Sequence, residues 1–415
     1  MDGDRKPASF LRSPFYCKVH RTSLHKSLLN LYNTFQKILI QRIDGLSLRV
    51  LIVGGGPAGS LTAINLGKKA DVKLIESKSR VGFPVKCGGL ISERCYSELK
   101  KYGVDAKLNK IKGAFVFSPS GDFVELFGKT GAVVVERKIM DLQLLKMASK
   151  TTEVILGARY VDSNDRKAKV IVSGDEKFFE FDYLVGADGV ESKVALTFGF
   201  QRPLIYTGLQ YLVEFEPIDK NMVELYFGSK YSNGFFAYSI PICESFARVG
   251  VISINSPKLY LDNLLKKHPS VSERVGKSIM EINMGAVPLS LVNFVKDNVA
   301  LIGDAAGMVK PYTGGGIYYL LRAAELLGNS FPSLIDFKKE YLKEFKREYG
   351  VGEKIRKLYR ILKDEDYDFL VKLSKDIDFS EVDMDRPSTA LNIIPKLLKV
   401  AGRPKIIFEM IKAFL

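Results

Sequence analysis

The sequence predicts an α/β fold in which a mostly parallel sheet is interrupted by an inserted antiparallel-sheet domain and followed by helices. Three observations predict it. Residues 48–77, LRVLIVGGGPAGSLTAINLGKKADVKLIES, run strand, glycine turn, helix, strand. Two more apolar runs, FDYLVGADG at 181–189 and VALIGDAAG at 299–307, end in glycine and aspartate, as buried parallel strands do where they meet a loop. Between them, stretches 223–227, 235–241 and 247–254 have the composition and spacing of antiparallel strands. At 415 residues, 46% of them hydrophobic, the chain can bury one large or two intermediate cores.

The chain opens on a segment unlike the rest. Residues 1–48 hold eight Lys/Arg, three Asp and no Glu, which half matches a transit-type presequence; an upstream extension is the other reading. Residues 1–47 are therefore expected outside the fold. The first folded element is Arg49–Val53, an apolar run suited to a buried strand. Gly54, Gly56 and Gly59 follow in GxGxxG spacing, with Pro57 and Ala58 opening a helix. The first glycine permits the tight turn, the second lets backbone approach a pyrophosphate, and the third lets helix pack on strand. The helix N-terminus adds free N–H groups and a positive dipole end. A second strand ends at Glu76, twenty residues beyond Gly56, where a carboxylate can bond a ribose diol. This is a Rossmann-like βαβ unit for FAD or NAD, and Glu76 disfavours a 2′-phosphate.

Downstream, Asp188 and Asp304 each end a strand, and residues Gly314, Gly315 and Gly316 open a helix at Ile317. Three adjacent glycines cost backbone entropy and pack nothing, so a flat anionic group is expected to approach them. Together GGGPAG, GADG and GDAAG resemble the triple signature of the FAD-binding fold shared by aromatic hydroxylases and geranylgeranyl reductases. The resemblance implies FAD as cofactor, with Asp188 in the second signature, Gly303 and Asp304 at the ribityl chain, and Gly314–Ile317 at the flavin's pyrimidine edge. A helix N-terminus there stabilises the reduced flavin's charge by a few tenths to about 2 kcal/mol.

Gly307 stands where the hydroxylases carry histidine. With VGFPVKCGG at 81–89, VVERKIMDLQLLKMA at 134–148 and MGAVPLS at 284–290, it is similar to the geranylgeranyl reductase branch. This implies Cys87 and Gly88 over the flavin, with Cys87 the candidate catalytic proton donor or substrate contact, and Arg137 touching the cofactor. It also implies an FAD-binding domain of the aromatic-hydroxylase type over 48–200 and 284–335, including an excursion near 84–130. An antiparallel β substrate domain over 201–283 and a helical region over 336–415 complete the chain. The family's substrate-channel motif is altered here to NGFFAYSIP, 233–241: Phe236, Tyr238 and Ile240 replace tyrosine, tryptophan and phenylalanine, and Pro241 is kept.

The implied activity is reduction of C=C bonds in geranylgeranyl or other prenyl chains of isoprenoid lipids. A flavin monooxygenase of an apolar substrate and a catalytically lapsed lipid-binding flavoprotein are the alternatives. No second nucleotide-binding βαβ unit occurs, so the electron donor is NAD(P)H acting transiently or a ferredoxin-type protein. The scattered Cys17, Cys87, Cys95 and Cys243 indicate neither a disulfide framework nor zinc, and favour a reducing, cytoplasmic compartment. With only His20, His25 and His268, a histidine metal site is not expected. A net charge of +15 suits nucleic acid or an anionic membrane. No basic cluster interleaved with aromatics supports the former. The segment 394–415, mixing apolar and basic groups, is expected either to dock on a membrane surface or to pack against the substrate domain.

Overall fold

The computed structural model describes residues 48–393 except 86 and 165; the expectations for 1–47 and 394–415 lie outside the described residues. Strand β1 (Arg49–Val53) is buried along almost its whole length and pairs in parallel with β2 (Asp71–Glu76) on one side and with Tyr183–Gly186 on the other. The strand Val299–Leu301 extends the sheet beyond Tyr183–Gly186, again in parallel, and Glu153–Leu156 flanks β2. Among the described residues the only antiparallel member of this sheet is the short edge strand Val295–Lys296. Helix α1 (Pro57–Leu66) joins β1 to β2 and packs on the helices Ile317–Ser330 and Arg137–Ala148. All three apolar runs singled out in the sequence are therefore neighbouring strands, with their C-terminal ends at one edge of the sheet.

The second large sheet has seven strands, in the order Val275–Pro288, Ile205–Phe215, Phe246–Ser253, Ala237–Pro241, Met222–Tyr226, Gly113–Phe117, Phe123–Leu126. The last two come from the excursion near 84–130, whose strands Leu90–Ser92 and Lys107–Ile111 pair instead with Ala132–Val135 in a three-stranded sheet. Strand alternation sorts its side chains. Ala237, Val249, Val251, Tyr211 and Phe117 pack with Leu261 and Leu264 of the helix Pro257–Lys267. Phe236, Tyr238 and Ile240 belong to the clusters on the other side. Glycines 350 and 352 fall inside the long helix Leu334–Ile361 and open no second dinucleotide unit. Among the described residues no helix is long and apolar enough to cross a membrane.

Behind the helix-covered face sits His268, fully buried. Its Nδ1 accepts the Ser270 N–H at 3.1 Å, which places the ring proton on Nε2. That nitrogen has no hydrogen-bond partner and lies among the rings of Phe117, Tyr226 and Tyr231, whose centroids are 4.8–5.7 Å away. Burial, assisted by the Arg274 charge, pushes the imidazole pKa down to about 4. The folded state then binds fewer protons than the unfolded state between about pH 6.5 and 4, so stability is full above that window and falls as pH drops through it. The loss is expected to be about 3 kcal/mol. Urea denaturation at pH 7 and pH 4.5 on wild type and His268→Phe checks this: the variant should show the shallower pH dependence.

Candidate active site

The three signatures converge through contacts that only small residues allow. Gly54 has φ of +107°, and a Cβ on it would lie 2.4 Å from the Ala187 carbonyl oxygen. A Cβ on Gly59 would lie 1.8 Å from the Gly54 carbonyl oxygen, and one on Gly303 would lie 2.7 Å from Ala58 Cβ. These glycines are required by the protein's own packing. Gly56 is different: nothing lies within 4 Å of where its Cβ would be. It caps the N-terminus of α1 with no side-chain hydrogen bond, and Pro57 opens the helix. Space kept clear beside uncapped N–H groups fits a pyrophosphate. Glu76 accepts the Gly55 N–H at 2.7 Å and the Lys78 N–H at 2.8 Å, which fixes its carboxylate at the edge of the same loop.

Asp304 is the clearest sign of a missing polar partner. It is half-buried, and its carboxylate accepts no hydrogen bond from the described residues. Burial pushes its pKa up, against the pull of the Arg137 charge. A half-buried carboxylate with no donor among the described residues can take one from a ligand, and a ribityl hydroxyl is such a donor. Asp188 behaves otherwise. Its carboxylate is occupied by the Ser192 hydroxyl at 2.6 Å and the Lys193 and Val194 N–H groups at 2.7 and 3.1 Å. It anchors the short helix Lys193–Thr197, while its backbone lies against Gly54.

The glycine triplet also has intramolecular reasons. Gly314 has φ of +73° and leaves room for Val287, and a Cβ on Gly316 would be 2.8 Å from Val309. The helix Ile317–Ser330 nonetheless begins with no capping side chain, so its first N–H groups are available to an acceptor.

Cys87 and Gly88 bridge to the antiparallel sheet. Gln210 donates from Nε2 to the Cys87 carbonyl at 3.2 Å and accepts the Tyr238 hydroxyl at 3.0 Å. A Cβ on Gly88 would meet Ile240 at 2.8 Å and Tyr238 at 3.8 Å. Arg248 donates to the Gly88 and Val135 carbonyls and pairs with the buried Glu136 at 3.2 Å. Arg137 forms a bidentate pair with Asp141 at 2.9 and 3.1 Å, and the Cys87 thiol lies near enough to act on its charge. Burial alone would lower the Arg137 pKa, but Asp141 and Cys87 outweigh it and raise it.

Of the sequence-derived substrate residues, Tyr238 and Ile240 come directly against Gly88. Phe236 stands further along the same side, stacked on Phe235 with centroids 4.8 Å apart. Pro241 is not brought to this wall: strand alternation turns it to the opposite side, where its carbonyl accepts from Asn109.

Gln210, Arg248, Lys310 and Asp385 are site-supporting residues that the motifs did not mark. Gln210 is a buried amide in the middle of IYTGLQYLVEF and Arg248 the one charged residue of the fully buried FARVGVIS, and that is a legible signal. Lys310 is buried, donates to the Met384 carbonyl and pairs with Asp385 at 3.1 Å, directly beneath Gly315.

The open phosphate cradle, the unpartnered Asp304 and the uncapped glycine helix fit FAD. Residues 47–235 match the model of the FAD binding domain family, and with that match the fold and site define an FAD-dependent oxidoreductase. The chain is 31% identical to the digeranylgeranylglycerophospholipid reductase of Methanocaldococcus jannaschii, over 78% of this chain and 89% of that protein. It is 30% identical to the enzyme of the same name from Methanosarcina acetivorans, over 80% and 90%. A geranylgeranyl bacteriochlorophyll reductase-like protein from Thermoplasma acidophilum has the same fold, with a TM-score of 0.75 at 23% identity, covering 85% of this chain and 98% of that one. This chain belongs to the geranylgeranyl reductase family.

Removing the lone acceptor gives a direct check on the cradle. Asp304→Asn is expected to weaken FAD binding by roughly 10–100-fold, the scale of one charge-assisted hydrogen bond, while making the FAD-free protein more stable. Fluorescence titration of FAD and thermal melts of both forms measure the two opposite effects.

Proposed function

We propose that this chain is a reductase that saturates C=C bonds in the geranylgeranyl or related prenyl chains of isoprenoid lipids. The observation that supports this is the apposition of Cys87–Gly88 to an apolar wall carrying Tyr238, Ile240 and, further along, Phe236. FAD, once reduced, supplies the hydride. An isolated alkene offers no charge to grip, so its reduction depends on positioning, and burial of a long prenyl chain gives a gross driving force of ~0.8 kcal/mol per methylene. Tyr238 and Ile240 hold the chain against the cofactor face. Gln210 and Arg248 fix the Cys87 and Gly88 carbonyls, so the Cys87 Sγ is presented at a set height. Cys87 Sγ delivers a proton to the second alkene carbon, and Arg137 orients that thiol. Gly54–Gly59, Glu76, Asp188, Arg137, Gly303, Asp304 and Gly314–Ile317 hold the cofactor. Electrons arrive from NAD(P)H or a ferredoxin-type donor. Membrane contact through 394–415 belongs to the same reading, since prenyl lipids reside there.

The test is anaerobic incubation of dithionite-reduced protein with geranylgeranyl lipids, followed by mass spectrometry. Products heavier by two hydrogens per reduced bond support the reading. Unchanged lipid, together with rapid aerobic NAD(P)H oxidation, would identify a monooxygenase instead.

A further inference from the structure

We infer that Arg356, at the edge of the aromatic cluster of Tyr206, Phe235, Phe236 and Tyr359, is an anion site that holds the phosphate headgroup of the lipid substrate. The inference rests on the prenyl-reductase reading and adds a recognition element to it. Arg356 lies on the helix Leu334–Ile361 where that helix packs on the aromatic cluster. About one turn earlier Gly352 packs on Pro311 and Tyr312, beside the glycine loop. Three residues later Tyr359 packs against Phe227, Phe235 and Phe236. The Arg356 guanidinium lies over the Tyr206 ring at 5.9 Å, and Tyr206 belongs to the same cluster as Phe236 and Ile252.

What sets Arg356 apart is its lack of a partner. Its Nε is buried without a hydrogen bond, and no carboxylate pairs with it among the described residues. The other arginines set into the body of the protein, Arg137, Arg248, Arg274 and Arg322, each hold a carboxylate. A donor left unpaired away from water is costly, and it is retained where a ligand completes it. Stacking on Tyr206 orients the planar fork, whose geometry matches phosphate bidentately.

The surroundings suit an amphiphile. Arg360, one turn on, lies against Gly234 and Ile254 and adds a second cation at i+4. Ile254, with 40% of its surface exposed, gives the rim an apolar component. Apolar and cationic groups therefore stand side by side here: an aromatic cluster with two arginines at its edge.

Equilibrium dialysis with labelled geranylgeranyl phosphate, geranylgeraniol and inorganic phosphate tests this on the full chain loaded with FAD. Wild type should bind the phosphate ester about 10-fold more tightly than the alcohol, the scale of one charge-assisted contact. Arg356→Gln should bind both at the wild-type level for the alcohol, with its FAD content unchanged. Arg356→Lys, which keeps the charge without the fork, should recover part of the difference and guards against misfolding of the first variant. The site is refuted if wild type shows no preference, if Arg356→Gln or a folded charge-free alternative such as Arg356→Met keeps it, or if inorganic phosphate binds as tightly as the ester. Binding of the alcohol without preference removes the arginine site alone. Failure of wild type to bind either prenyl compound removes the reductase reading and this site with it.

Discussion

Gly59→Ala is expected to give a protein that purifies without yellow colour. The added methyl would sit 1.8 Å from the Gly54 carbonyl oxygen, a backbone atom in a loop already fixed by its parallel neighbours. Neither partner is the free end of a side chain, so α1 must move away from β1 or the loop must shift. Overpacking of this kind costs about 3 kcal/mol or more. The displacement falls on Gly55 and Gly56, whose backbone forms the phosphate cradle. FAD affinity should drop by roughly 100-fold, the scale on which an ångström of misplacement acts in a site that works by fit. The ratio of flavin to protein absorbance, followed by FAD titration, measures the loss. Retention of stoichiometric FAD would mean that the close approach of helix and strand is not what shapes the cradle.

Lys310→Met is expected to cost about 3–5 kcal/mol, the range for removing one partner of a buried pair. Lys310 and Asp385 are both buried, and the methionine would leave Asp385 charged and supported, among the described residues, only by the Ser92 hydroxyl at 2.5 Å. The same change removes the Lys310 side chain from beneath Gly315, while the backbone hydrogen bonds of residue 310 with Gly314 and Gly315 remain. Urea denaturation of Lys310→Met, Asp385→Leu and the double variant separates the pair's net value from the penalty of an orphaned charge. The double variant should recover much of the loss.

The cofactor half was legible because its chemistry is local. β1, the glycine turn, α1 and β2 are contiguous, and the strands before Asp188 and Asp304 are apolar runs that announce themselves. The seven-stranded sheet was legible only in its middle. Gly113–Phe117 joins it by parallel pairing with Met222–Tyr226, more than a hundred residues away, and no local pattern carries that register. The same holds for Asp385, whose partners Ser92 and Lys310 come from two other regions of the chain. Asp188 shows a subtler limit. Its position in a signature pointed to the cofactor, yet its carboxylate is taken up by the N-terminus of the next helix. The glycines of 314–316 were read as clearance for a ligand, and two of them are also demanded by Val287 and Val309. Sequence spacing marks where a small residue must stand, but not which neighbour demands it.

The order of strands in the parallel sheet has a consequence for biosynthesis. The central pair, β1 and Tyr183–Gly186, acquires its outer neighbour Val299–Leu301 only after five strands of the seven-stranded sheet have been made in between. The clamp at Asp385 is translated later still. The nascent N-terminal half therefore leaves the ribosome with an unfinished sheet edge, and contacts so distant along the chain close slowly. The full cofactor cradle therefore exists only after the strand Val299–Leu301 and the glycine helix that follows it have joined the sheet.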